Sequence, residues 1–261
     1  MKTEAWTQAV RHQFGLGRLL PLGGPADGAW ITEQAAVQAL GRAANEIPGV
    51  RLESLRIGPA PLESVSEPAV RPPASAMPPG PLRIEAAFSA SLGRPLPETA
   101  DQLRSRLLDA AARRLGLTTV TADLRVTDLH EVPHAGTKAR PVARSMKLTP
   151  QSTAAATTAT ARSSLSVTGA GSPRGPVGDL ADVATGVPGV AGLTTVLGSR
   201  PVKMEDNADP PGRRVEVHFA VTPGHHPLEV ARAVRTAVAD AAATDAPGPV
   251  TVAVLITETA A

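Results

Sequence analysis

The chain has 261 residues, a formal net charge of +2 and a sequence pI near 9.5, with no cysteine and no tyrosine. A length of this order fits one large or two small domains, and the missing cysteines exclude disulfides, a thiol nucleophile and Cys-ligated metal centres. The five aromatics (Trp6, Phe14, Trp30, Phe88 and Phe219) are too few for the stacking platforms that hold single-stranded nucleic acid.

The opening stretch MKTEAWTQAVRHQ has no apolar core segment, so no secretory signal is expected. No run approaches the ~20 apolar residues of a membrane span, and a soluble, cytoplasmic protein is expected. Trp6, Ala9, Val10 and Phe14 form a short apolar stripe, read as packing onto the first folded unit rather than docking on a membrane. One strand is expected within residues 17–31. ITEQAAVQALGRAANEI then places Ala36, Val37, Leu40, Ala43, Ala44 and Ile47 at helical spacing, with Thr32 as N-cap and Pro48-Gly49 as stop. VRLESLRIG alternates as a half-buried strand, with Val50, Leu52, Leu55 and Ile57 inward.

Residues 58–81 hold eight prolines. Proline lacks an N–H and fixes φ, so neither a helix nor a central strand fits, and a long exposed loop is expected. Leu82, Ile84, Ala86 and Phe88 alternate in the next strand. A helix follows, with Pro97 near its first turn, a face of Ala100, Leu103, Leu107, Ala110 and Ala111, and Gly116 as C-cap. Val120, Ala122, Leu124 and Val126 mark another strand. Residues 130–178 are rich in Ala, Thr, Ser and Gly without a sustained period. Such a stretch buries too little apolar area to offset its ordering entropy, and a low-complexity linker is expected.

The C-terminal third repeats the order. GDLADVATGV reads as a helix and LTTVLG as a weak strand. RRVEVHFAV alternates through Val215, Val217, Phe219 and Val221, PLEVARAVRTAVADAAA is a helix, and PVTVAVLITE is the last strand. The copies align. Ile47-Pro48-Gly49-Val50 matches Val187-Pro188-Gly189-Val190, and Gly58 matches Gly198. Without a gap, Phe88 falls on Phe219, Gly93 on Gly224, Glu98 on Glu229, and Leu103 and Leu107 on Val234 and Val238. With a shift of one, Leu124-Arg125-Val126-Thr127-Asp128 lies on Val254-Leu255-Ile256-Thr257-Glu258. The chain is therefore read as an internal duplication.

The motifs GAWITEQAAVQALGRAANEIPGV and FSASLGRPLPETADQLRSRLLDAAARRLGLTTVTADLRVTDL resemble the alkaline-shock-protein, or envelope-stress-response, family of Gram-positive bacteria. The resemblance covers most of residues 28–129 and, in a more degraded form, residues 179–261. It implies a small α/β domain without enzymatic activity that acts through protein contacts, often near the membrane via a partner. The opening run WTQAVRHQFGLGRLLPLGG also resembles proteins of actinobacteria.

Residues with chemical potential read more simply as structure. His218 alternates with Phe219 and is expected on the solvent face, and His225 and His226 share a turn. Three converging metal ligands are not expected from them. Glu98 and Glu229 each sit just inside a helix start, where the helix dipole favours a carboxylate. Gly169–Gly175 lacks the Lys of a phosphate loop, and Gly15-Leu16-Gly17 fails the dinucleotide pattern. Lys138, Arg140, Arg144, Lys147, Arg162 and Arg174 spread a positive charge along the linker, read as solvation. Pro48, Gly49, Gly93, Pro188, Gly189 and Gly224 are expected to make turns rather than a site.

The expectation is an α+β fold of two tandem small domains, each a short sheet with helices on one face in the order (β)αββαβ. Residues 1–129 hold the N-terminal helix and first repeat, 130–178 the linker, and 179–261 the abbreviated second repeat. No catalytic, cofactor or metal residue is assigned, and neither a small-molecule substrate nor nucleic acid is expected. The expected function is a non-enzymatic scaffold related to envelope stress, with protein partners at the membrane and self-association as a further expectation. The alternative is a regulatory module whose basic linker contacts nucleic acid or anionic membrane.

Overall fold

The computed structural model describes residues 18–61, 67–73, 75–131, 175–195 and 200–259. In the first repeat, the hairpin β1 (Leu19–Leu22) and β2 (Ala29–Thr32) leads without a break into α1 (Glu33–Asn45). Then come β3 (Val50–Pro59), β4 (Leu82–Ser91), α2 (Leu96–Asp109), a π-helical turn (Ala110–Leu115) and β5 (Thr119–His130). The second repeat is α3 (Pro176–Thr185), β6 (Val190–Leu193), β7 (Val202–Ala208), β8 (Pro211–Val221), α4 (Pro227–Ala242) and β9 (Val250–Thr259). The class is α+β.

The duplication is visible in the strand register. β4 lies between antiparallel β3 and parallel β5, and β8 lies between antiparallel β6/β7 and parallel β9. Phe88 pairs with Val126 and Phe219 with Ile256, and both ladders slip by one residue at the next step. At that slip Thr127 Oγ1 donates to Phe88 O (3.0 Å) and Thr257 Oγ1 to Phe219 O (3.4 Å). One bulge kept at the same place in both halves is a stronger mark of common design than alternation alone. A second bulge explains β3. Val50 and Leu52 share a face with Leu55 and Ile57 only if one residue is extra, and the register shifts between Leu52 and Ser54.

Several features differ from the sequence expectation, the weak strand LTTVLG among them, since β6 ends at Leu193. Within the stretch expected to hold one strand, residues 19–32 fold as a hairpin, and β7 is an additional strand that the sequence does not announce, because VKMEDNA alternates weakly and carries charge. The hairpin does not join its own repeat. β2 runs parallel to β9, with Ala29, Trp30 and Ile31 beside Val254, Leu255 and Ile256. One sheet therefore has the order β1-β2-β9-β8, with β6 and β7 both on the far edge of β8, and the other is β3-β4-β5. α1 touches β2 and β9 of one sheet and β3 of the other. A single apolar cluster takes in Leu40 and Ala44 of α1, Leu103 and Leu107 of α2, Leu180 of α3, Val234 and Val238 of α4, Phe88 and Phe219. The repeats share one core.

The Pro-rich loop also departs from expectation. Part of it packs on the fold: Val70, Pro73 and Pro79 are buried, while Pro61, Glu67, Ala69, Arg71 and Pro78 are exposed. Met77 N–H donates to Leu19 O (2.8 Å) and Leu19 N–H to Ser75 O (3.3 Å), which closes the β1 edge. Val70 and Ala76 pack with Leu19, Trp30, Ala253 and Leu255 over the outer face of the first sheet. Trp30 brings too much apolar area to leave uncovered. The N-terminal stripe from Trp6 to Phe14, residues 132–174 of the linker, and Gly198 lie outside the described residues.

Thr32 ends β2 and starts α1. Its Oγ1 accepts from Ala35 N–H (3.2 Å) as N-cap and donates to Thr257 O of β9 (3.0 Å), so one hydroxyl joins both repeats. Thr32→Val keeps the shape, removes the cap and leaves buried groups unpaired. Urea unfolding should show a loss of about 1–2 kcal/mol, with Thr32→Ser retaining most of the stability.

Candidate functional site

A depression lies on the seam between the repeats. α1 supplies Ala39 and Arg42, the π-helical turn supplies Arg113, Arg114 and Leu115, the β8–α4 turn supplies residues 221–227, and β9 supplies Thr259. Its volume is about 410 Å³. Gly116 makes the close approach possible. It ends the π turn at φ +84°, and a Cβ there would lie 2.6 Å from Leu228 Cβ and 3.1 Å from the His226 ring. Gly189, at φ +94°, faces Val230 and the His225 ring in the same way. The two histidines of this turn are thus seated against glycines of neighbouring turns.

The cleft is rich in arginine, but these arginines are engaged. Arg114 forms a two-pronged bond to Glu46 (2.7 and 3.1 Å), and Arg106 reaches the same carboxylate at 2.6 Å. The bond from Arg114 holds the Glu46 carboxyl below its ordinary range. Arg113 pairs with Asp109 (2.6 Å), and Arg42 donates to the carbonyl and hydroxyl of Thr259 (3.3 and 3.2 Å). His226 Nδ1 is buried without a partner among the described residues, beside the start of α4. The arginines of the cleft mainly bind α1, α2 and β9 to one another.

His218 does not come near this turn and is not solvated. It is buried on the outer face of β8, where Nε2 shares a 2.8 Å hydrogen bond with Glu216. That face is covered by neighbouring buried residues, Leu255 beside it in register, so alternation named the face correctly but not its exposure. The hydrogen bond with His218 holds Glu216 below the usual carboxylate range. Among the described residues no group of three or more His, Asp or Glu could hold a metal ion. Glu98 and Glu229 sit in the first turns of α2 and α4, and Glu229 meets Arg232 at 3.2 Å.

A second cross-repeat contact was not foreseen. Arg232 of α4 donates twice to Asp27 in the β1–β2 turn (2.8 and 3.2 Å), Gly24 N–H donates to the same carboxylate (2.7 Å), and Arg235 reaches Ala26 O. On the opposite edge of that sheet, Arg213 bonds Asp206 (2.8 and 3.0 Å) and the carbonyls of Ala242, Thr244 and Asp245, capping the end of α4.

No protein-family model, curated protein or solved structure matches the chain. Among the described residues no helix is long and apolar enough to cross a membrane.

Gly116→Ala should destabilise by at least about 1 kcal/mol in urea unfolding, because the backbone is left-handed there and the added carbon meets Leu228. Asp27 gives a pH prediction. Burial alone would raise its carboxyl, but the bonds from Arg232 and Gly24 and the charges of Arg232 and Arg235 outweigh burial and leave it below 3.8. A depressed folded value means the stabilisation is complete above about pH 4 and is lost as pH falls through the folded value. Asp27→Asn should flatten that part of the acid-unfolding curve and leave the neutral-pH slope unchanged.

Proposed function

We propose that the protein is a non-enzymatic interaction scaffold whose first-repeat sheet receives a protein partner. The observation that carries this is a contrast between equivalent strands. β9 has β8 on one side and β2 on the other, whereas β5 has β4 on one side and no described strand on the other. An open strand edge can take a further strand, with main-chain hydrogen bonds giving affinity and alternate side chains giving selectivity. The engaged arginines of the seam favour a structural role for the cleft. The resemblance of each repeat to the alkaline-shock, envelope-stress family supports the same reading. It supports a cytoplasmic location, with the inner face of the membrane reached through a partner.

The test is capture from native lysate with the tagged full chain, a Leu124→Pro variant and a chain lacking residues 135–174. Proline is tolerated where a strand's N–H faces outward, so this variant blocks the open edge and spares the β4 ladder. Capture of the same proteins should be lost with Leu124→Pro and kept without the linker. Loss on linker deletion, or capture of nucleic acid or anionic lipid that collapses with added salt, would favour the regulatory-module reading instead.

A further inference from the structure

The open edge of β5 is self-complementary, and we propose that it pairs with β5 of a second copy, antiparallel about Leu124, joining two three-stranded sheets into one. This rests on the interaction reading above and names the partner as the chain itself.

The backbone direction comes from the other repeat. Val254 N–H donates across the β9 edge to Gly28 O at 3.0 Å. Leu124 is its equivalent, since Ala86 pairs with Leu124 as Val217 pairs with Val254. The Leu124 N–H and C=O therefore point out from the sheet edge. Ala122 O does so as well, and accepts from Arg104 Nε at 3.2 Å. Arg104 is the counterpart of Arg235, which reaches Ala26 O in the hairpin added beside β9. In the second repeat the arginine meets the added strand, and in the first it folds back onto the edge itself.

The side chains fix the register. Antiparallel pairing about Leu124 sets Asp123 opposite Arg125 and Thr121 opposite Thr127 on the outer face, where all four are exposed. It sets Ala122 opposite Val126 and Leu124 opposite itself on the inner face. Opposite charges and Thr–Thr pairs favour such a ladder, and like charges oppose it. Centring on Asp123 or on Arg125 places like charges face to face, and only centring on Leu124 sets Asp123 against Arg125. A central pair that exchanges both hydrogen bonds also agrees with the outward N–H and C=O of Leu124. Arg125 has no ion pair among the described residues, and Asp123 meets Arg83 at 3.7 Å. The Pro-rich loop closes β1, and Glu33 takes the Ile57 N–H of β3 at 3.2 Å.

Sedimentation velocity of the full chain over a range of concentrations should show a reversible dimer. Asp123→Arg and Arg125→Asp should each weaken it roughly tenfold. The double variant should restore it, because both cross-strand pairs re-form with signs exchanged. Circular dichroism checks that the exposed substitutions leave the fold intact. The chain has no cysteine, so Leu124→Cys should give a single intermolecular disulfide under mild oxidation. The roughly 5.5 Å Cα separation of a hydrogen-bonded pair suits that bond. Arg125→Cys should not cross-link, because it faces Asp123 of the other copy. A monomer at every concentration, or a dimer indifferent to both single charge changes, overturns the proposal. If the dimer is absent but Leu124→Pro still abolishes lysate capture, a different protein occupies the edge and the interaction reading stands. If Leu124→Pro leaves both dimer and capture intact, both readings fall.

Discussion

The parallel pairing of β2 with β9 ties the described chain together from its first strands to its last. Thr32 and Thr257 lie 225 positions apart and share a hydrogen bond. The entropy of closing so long a loop grows only with the logarithm of its length, so distance is not the obstacle. The hairpin must instead choose between equivalent edges, β9 and β5. The side chains decide. β9 is buried on both faces from Val252 to Ile256 and reads as an uninterrupted apolar run, as a central strand does. β5 alternates Ala122, Leu124 and Val126 with exposed Thr121, Asp123, Arg125 and Thr127. Trp30 on the outer face of β2 finds Ala253 and Leu255 beside β9. Beside β5 it would lie against charge.

Other cross-repeat features follow from that choice. Once β2 lies on β9, α1 is carried against both sheets, and its Arg42 reaches Thr259 at the end of β9. The β1–β2 turn is carried over α4, where Asp27 meets Arg232. The seam can close only if the end of the π turn comes within contact of the start of α4, and Gly116 allows this through both its left-handed backbone and its missing side chain. The cleft at the seam is thus a consequence of repeat docking, and its ion pairs from Glu46 and Asp109 hold elements that the docking has already placed.

Local structure was legible in the sequence and the joining of its parts was not. The α1 stripe, the Thr32 cap, the Gly116 stop and the alternation of β4 and β8 are set by neighbours a few residues away, and periodicity reports such neighbours directly. The duplication was legible because Phe88 and Phe219 keep their surroundings, down to the bulge that follows each. Period two cannot say which sheet a strand joins, so the partner of β2 was hidden, although the unbroken apolar run of β9 carried the signal. Proline content made residues 58–81 read as exposed. Val70 and Ala76 of that loop instead pack on Trp30, a side chain that already required a lid. His218 was assigned to the correct face but the wrong environment, since exposure depends on what lies over a sheet. The cleft joins α1, the π-helical turn and the β8–α4 turn, and no local spacing links those positions.

The two halves therefore differ in use rather than in design. The same edge of the same αββαβ unit is completed within the chain in one repeat and has no described strand beside it in the other. Exposed strand edges are a liability, and charges placed on them deter indiscriminate pairing. Asp123 and Arg125 meet that need, because most registers and most foreign strands leave at least one of them poorly matched. Their order also makes one antiparallel register favourable, in which each charge faces its opposite. A pair of charges can thus reject most strands while admitting the strand that carries the same two residues in reverse direction. This combination of attraction and exclusion is what selective recognition between otherwise similar edges requires.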